Sequence, residues 1–96
     1  MITTESTKAN ALRMAKLLVK NKLAACVSIK QIFSIYMWND DIEETKEFEL
    51  TIKSKPEFKD DLIYFLHKIS TYDVPQIIYS KFESEIKYFD WLNKII

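Results

Sequence analysis

The stretch KEFELTIKS, residues 46–54, decides the fold because it has the pattern of a strand with one buried face. Phe48, Leu50 and Ile52 alternate there with polar and charged residues. A period of two residues places alternate side chains on opposite faces of a sheet. The sequence therefore predicts a sheet that is covered on one side and open to water on the other, with Glu47 on the open side.

A second long strand precedes this one. Residues 24–38, AACVSIKQIFSIYMW, are rich in the β-branched and aromatic side chains that favour strands. Asn39 and Asp40 follow, and both residue types tolerate the positive φ of a tight hairpin turn. The chain has no glycine, so we expect Asn and Asp to take the left-handed positions that the fold does not avoid. The two strands together predict one long hairpin.

An amphipathic helix is predicted ahead of the hairpin, in the stretch STKANALRMAKLLVKNKL that begins at Ser6. Its lysines fall toward one side and its apolar residues toward the other, which is the pattern of a helix packed on a core. Ser6 or Thr4 is the expected N-cap. The predicted apolar side contains Ala11, Leu12, Ala15, Leu18 and Val19.

Two further helices and one strand are predicted after the hairpin. Pro56 opens a helix whose apolar stripe consists of Phe58, Leu62, Phe65 and Ile69. Residues 74–82, VPQIIYSKF, are expected to form a strand with Pro75 at its start. Residues 83–96 close the chain as a helix whose apolar face consists of Phe89, Leu92 and Ile96.

The order of these elements predicts a single domain over residues 1–96. Only MITT remains ahead of the first helix, so a truncated first strand is expected there. The order then becomes βαββαβ with an extra C-terminal helix. Right-handed crossovers give a four-stranded antiparallel sheet with two helices on one face, which is a ferredoxin-like α+β sandwich.

Composition argues against several classes of partner. The 14 basic and 14 acidic side chains leave no net charge to attract nucleic acid or anionic lipid. No apolar stretch approaches the ~20 residues of a membrane span. The predicted third strand has one aromatic ring and no glycine, unlike an RNA-recognition motif. We expect a cytoplasmic protein that binds neither nucleic acid nor membrane.

Catalytic chemistry is not evident in the chain. Cys26 is the only cysteine, and its apolar neighbours predict a buried, inert thiol in a reducing compartment. His67 is the only histidine and has no partner nearby in the sequence. The acidic residues at the hairpin turn do not have the spacing of a calcium loop and are expected to face water. The sequence therefore predicts a protein that is not an enzyme.

Several motifs in order resemble one family over essentially the whole chain. They are KLAACVSI, SIYMWNDDIEE, ELTIKSK, YDVPQI and YFDWLNK. The chain resembles the CutA-like, divalent-cation-tolerance family. The resemblance implies a ferredoxin-like protomer in a homotrimer, an association with tolerance to copper and other divalent metals, and no established reaction. It also implies that the long strands pair between subunits.

The resemblance places a cleft between subunits. Tyr36 and Trp38, near the hairpin tip, have no obvious packing partner in a monomer of this size, so we expect them against a neighbouring subunit. The loop residues Tyr72, Asp73 and Gln76 are expected to line the same cleft.

The metal ligands that the family implies are replaced in this chain. The family's proposed copper site uses a Cys, a His and a Glu, and the corresponding residues here are Thr3, Ser70 and Gln76. Hydroxyl and amide groups are poor ligands for copper, which favours thiolate and imidazole. His67 and Asp73 are the only candidate substitutes. The sequence predicts no cofactor and at most weak binding of a divalent metal such as copper.

Two interpretations of function remain from the sequence. The first is a homotrimer of the tolerance family with a weak or absent metal site. The second is a trimeric small-ligand sensor or regulatory protein-interaction module, because the polar loop STYDVPQ suits hydrogen bonding better than metal ligation. A metal-dependent hydrolase would require converging carboxylates, which the sequence does not indicate.

Overall fold

Three antiparallel strands form one sheet in the order β1–β3–β2. The computed structural model describes residues 1–96. Its strands are β1 (Ile2–Glu5), β2 (Cys26–Trp38) and β3 (Asp41–Lys53). Its helices are α1 (Lys8–Lys20), α2 (Lys59–Ile69) and α3 (Ile86–Ile95), and a short 3₁₀ turn, Pro56–Phe58, leads into α2.

The predicted hairpin is confirmed along its whole length. Every residue of β2 pairs with one of β3, from Cys26 with Lys53 to Trp38 with Asp41. The turn between them uses φ of 51° at Asn39 and 66° at Asp40, as the sequence predicted. β1 pairs only with the half of β3 near Leu50, from Thr51 to Phe48. The rest of the hairpin, residues 32–47, is a two-stranded extension that we call the ribbon.

The predicted fourth strand, residues 74–82, is wrong as a full strand. A single antiparallel bridge joins Ile78 to Ile2, with backbone hydrogen bonds of 2.8 and 3.1 Å. The bridge still lies beside β1 on the side away from β3, which is where a ferredoxin-like fold has its fourth strand.

The core lies between the sheet and the two helices α1 and α2. Its fully buried side chains come from all of these elements, and they are Ala11, Met14, Leu18, Ala24, Leu50, Ile52, Leu62 and Leu66. The alternation predicted for β3 is thus confirmed at Leu50 and Ile52. Phe58, Phe65 and Ile69 of the predicted α2 stripe are partly buried against this cluster.

Two details of α1 differ from the prediction. Thr7, not Ser6 or Thr4, is the N-cap, and its hydroxyl accepts a hydrogen bond from the Asn10 N–H. Thr4 cannot be the cap because it belongs to β1, and the helix begins at Lys8. The apolar side is also rotated, since Met14 is buried while Leu12 and Val19 are exposed.

The end of α1 uses a left-handed lysine. Lys22 has φ of 58°, although the sequence assigned such positions to Asn or Asp. The Lys22 N–H donates to the Val19 carbonyl and the Leu23 N–H to the Leu18 carbonyl, each at 3.0 Å. This is the hydrogen-bond pattern that closes helices before a left-handed residue, and it holds the lysine in an unfavourable conformation.

The C-terminal helix is confirmed, but it contributes no buried residue. Phe89 of its predicted apolar face is exposed, and Leu92 and Ile96 are half-buried. Cys26, expected to be buried, is also only half-buried. None of the helices combines the length and apolar composition needed to cross a membrane.

Candidate functional site

A groove of about 820 Å³ separates one face of the ribbon from the loop that follows α2. Strand alternation puts Tyr36, Trp38, Glu43 and Glu47 on that face, because Tyr36 pairs with Glu43 across the hairpin. The loop, residues 70–76, forms the other wall. The ribbon extends beyond β1, so no third strand closes the groove.

All five residues that the sequence placed at the cleft line this groove. They are Tyr36 and Trp38 from β2 and Tyr72, Asp73 and Gln76 from the loop. The groove therefore brings together residues that lie up to 40 positions apart in the sequence. Their location between two subunits stays a prediction, because it concerns a second chain.

Glu5 holds the loop in place and was missed by sequence reasoning. The side chain has no exposed surface. Its carboxylate accepts hydrogen bonds from the Ser70 hydroxyl and the Thr71 N–H, both at 3.2 Å, and from the Thr71 hydroxyl. Hydrogen bonds to a buried charged group are among the stronger polar contacts in proteins. No local pattern indicates this contact, because Glu5 and Ser70 are 65 residues apart.

Glu47 and Tyr72 connect the loop to the ribbon. The Tyr72 hydroxyl donates to Glu47 Oε2 at 2.7 Å. Burial raises the pKa of Tyr72 well above its ordinary value of 10, and the hydrogen bond to Glu47 and the nearby negative charges raise it further. Glu47, predicted on the side open to water, is only 8% exposed because the loop lies over it.

The groove is acidic. Glu43, Glu47 and Asp73 line it, and no lysine, arginine or histidine does. The only ion pair in the chain, between Lys30 and Glu49 at 3.6 Å, lies outside the groove. The buried carboxylate of Glu47 therefore has no positively charged partner within the chain.

The three residues at the metal-ligand positions that the resemblance implies have different surroundings. Thr3 is fully buried and its hydroxyl has no hydrogen-bond partner. The Ser70 hydroxyl donates to Glu5, and of the three positions only Gln76 lines the groove. Of the two candidate substitutes, Asp73 lines the groove, whereas His67 is exposed on α2 and does not. No three His, Cys, Asp or Glu side chains cluster anywhere in the chain.

Comparison with known proteins identifies the family. The family described as CutA1 divalent ion tolerance protein matches residues 1–95. The chain belongs to this family. The resemblance seen in the sequence motifs is therefore confirmed.

Relatives of the CutA1 family resemble the chain over most of its length. The divalent-cation tolerance protein CutA of Thermotoga maritima is 31% identical over 100 residues, covering 100% of this chain and 99% of that protein. The human protein CutA is 33% identical over 87 residues, covering 88% of this chain. That match covers 49% of the human protein, so the chain spans about half its length.

Solved CutA1 structures confirm the ferredoxin-like α+β fold class. CutA1 from Pyrococcus horikoshii superposes with a TM-score of 0.94 at 27% identity, covering 98% of this chain and 93% of that one. The Archaeoglobus fulgidus structure, described as a periplasmic divalent cation tolerance protein, gives 0.92 at 32% identity with the same coverage. The compartment of this protein stays a prediction, since that relative is described as periplasmic.

Proposed function

We propose that the protein is a non-catalytic homotrimer that serves divalent-cation tolerance or response, and that its own binding of copper is weak or absent. Membership of the CutA1 family over residues 1–95 carries the first part of this proposal. We further propose a cytoplasmic location.

The outer face of the ribbon supports the assembly. Phe33, Met37 and Ile42 lie on the face opposite the groove and are between 63% and 79% exposed. Contiguous apolar surface of this kind marks an interaction site in most soluble proteins. A second copy of the chain is the occupant we propose, because the two-stranded ribbon also leaves backbone groups free to pair along its edges.

The donor set supports weak metal binding. A hydroxyl or amide oxygen replaces each strong ligand that copper prefers, at Thr3, Ser70 and Gln76. Asp73 is the one candidate substitute that lines the groove, and a single carboxylate gives a divalent ion little affinity.

The second candidate function is a trimeric sensor or interaction module that binds a small ligand in the groove. The observation that favours it is the groove itself, which combines aromatic side chains with carboxylates and an amide held by a hydrogen-bonded loop. Pockets of this composition are typical of ligand sites.

The test is native mass spectrometry of the metal-stripped protein titrated with copper(II) and zinc(II). We expect a trimer that takes up no ion at micromolar metal. A trimer with one ion per subunit would contradict the proposed loss of the metal site. A monomer would contradict the assembly.

A matched pair of variants tests whether the ribbon forms the interface. Phe33→Asp places a charge on the exposed ribbon face and should shift the mass from trimer to monomer. Tyr64→Asp, on exposed α2, should leave the trimer unchanged. If both variants remain trimeric, the proposed interface is wrong.

A further inference from the structure

We propose that the groove binds an elongated organic cation of the linear polyamine class. The inference deepens the proposed function and rests on it in one respect, because the groove is the cleft proposed above to lie between subunits.

The first argument is the unbalanced charge of Glu47. The side chain is 8% exposed and lines the groove, and Tyr72 donates to only one of its oxygens, Oε2. No donor in the chain reaches Oε1, and no cation pairs with the carboxylate. A mostly buried carboxylate is only partly hydrated, so a cationic ligand at Oε1 would gain more here than at an exposed carboxylate.

The second argument is the spacing of the carboxylates. Glu43 and Glu47 are four residues apart on the same face of β3, which separates their backbones by about 13 Å. A metal ion needs several ligands at about 2.3–2.6 Å, and no such cluster exists in the chain. A flexible amine chain with separated positive charges can reach each carboxylate in turn.

The third argument is the aromatic lining. Tyr36, Trp38 and Tyr72 contribute rings to the groove. Aromatic faces attract ammonium groups, most strongly at tryptophan, and they also pack against methylene segments. Rings combined with carboxylates suit an aliphatic cation, whereas a small hydrated metal ion gains little from the rings.

The experiment is a titration with spermidine at physiological salt, followed by calorimetry and by tryptophan emission. The protein carries Trp91→Phe, so that Trp38 is the only tryptophan and reports on the groove. Butylamine, with one charge, and MgCl₂, without an organic chain, are the control ligands. Saturable binding of one spermidine per protomer with a change in Trp38 emission is expected.

A matched pair of variants locates the binding. Glu47→Gln removes the charge but keeps an oxygen that accepts from Tyr72, and it should weaken spermidine by at least about tenfold. Glu44→Gln removes the same charge from the neighbouring exposed position, which does not line the groove, and should change affinity by less than about twofold.

Three outcomes would overturn the inference. They are no saturable binding at millimolar spermidine, equal weakening by both variants, and equal competition by MgCl₂. A trimer that binds no amine would refute this inference and leave the proposed assembly standing, with a neighbouring subunit as the source of the cation. A monomer that binds spermidine through Glu47 would support the inference and refute the homotrimer.

Discussion

The two ends of the β2–β3 hairpin have the same alternation of side chains but opposite surroundings. At the end joined to β1, Leu50 and Ile52 are buried beneath α1 and α2. At the ribbon end, Phe33 is 79% exposed and Ile42 is 72% exposed. Alternation decides which side chains share a face, whereas packing elements decide whether that face is covered. This chain covers one end of its hairpin and leaves the other end exposed.

The largest expected effect contrasts the two ends directly. Leu50→Ala should lower the free energy of unfolding by about 3 kcal/mol, because it leaves a cavity in the closed core. Ile42→Ala on the same strand should change it by less than about 0.5 kcal/mol in dilute protein. Urea unfolding at two protein concentrations measures both.

Concentration separates core from interface in that experiment. The cost of Ile42→Ala should grow as protein concentration rises, because assembly stabilises only the folded chain. If both variants lost the same free energy of unfolding in dilute protein, the ribbon end would be packed within the protomer. The two ends of the hairpin would then not differ in their surroundings.

The next effect concerns the contact that ties the loop to the sheet. Glu5→Gln should cost about 2 kcal/mol, since it sets an amide N–H₂ against donors from Ser70 and Thr71. Glu49→Gln removes a partly exposed carboxylate and should cost less than about 1 kcal/mol. Thermal unfolding measures both, and a neutral Glu5→Gln would show that the loop is held by other contacts.

Tyr72 makes the free energy of unfolding depend on pH in the alkaline range. Its pKa is raised in the folded chain, so the unfolded chain loses the proton first. The stabilisation that this pKa difference provides is fully present below pH 10 and declines as pH rises above that value. Urea unfolding at pH 8 and pH 10.5 should therefore show a larger loss for the wild type than for Tyr72→Phe.

The pKa of Tyr88 is also raised, chiefly by burial, so the wild-type loss contains both tyrosines. The difference between the wild type and Tyr72→Phe isolates the tyrosine of the groove. At pH 8 the variant should be about 1 kcal/mol less stable, because Glu47 loses its donor. Identical alkaline losses would mean that Tyr72 is not coupled to Glu47.

The smallest effect lies in the closed half and is a gain. Lys22→Gly should stabilise the protein by about 0.5–1 kcal/mol, because glycine adopts positive φ without steric cost. Lys20→Gly, two residues earlier within α1, should destabilise it by about 0.5–1 kcal/mol. Thermal melts of the two variants provide the comparison, and a loss of stability in both would contradict the left-handed assignment.

The candidate site could be predicted only in part. Tyr36, Trp38, Tyr72, Asp73 and Gln76 were selected from their motifs, and the structure brings them to one groove. Glu43 and Glu47, the two groove carboxylates that lie on β3, were not selected. The alternation placed Glu47 in water, which is correct for an isolated hairpin but not for one crossed by a loop from residues 70–76.

The sequence by itself determined the local structure of this protein. The alternation around Leu50, the β-branched run of β2 and the residue pair Asn39–Asp40 act over neighbouring residues, so they specify strands, faces and the hairpin turn. The motifs indicated the family, and the family implied the fold.

Only the tertiary structure decided which groups meet across long separations. It reduced residues 74–82 to one bridge, which joins Ile78 to Ile2. It also buried Glu5 under Ser70 and Thr71. These outcomes depend on contacts between distant segments, whose energies no local pattern contains.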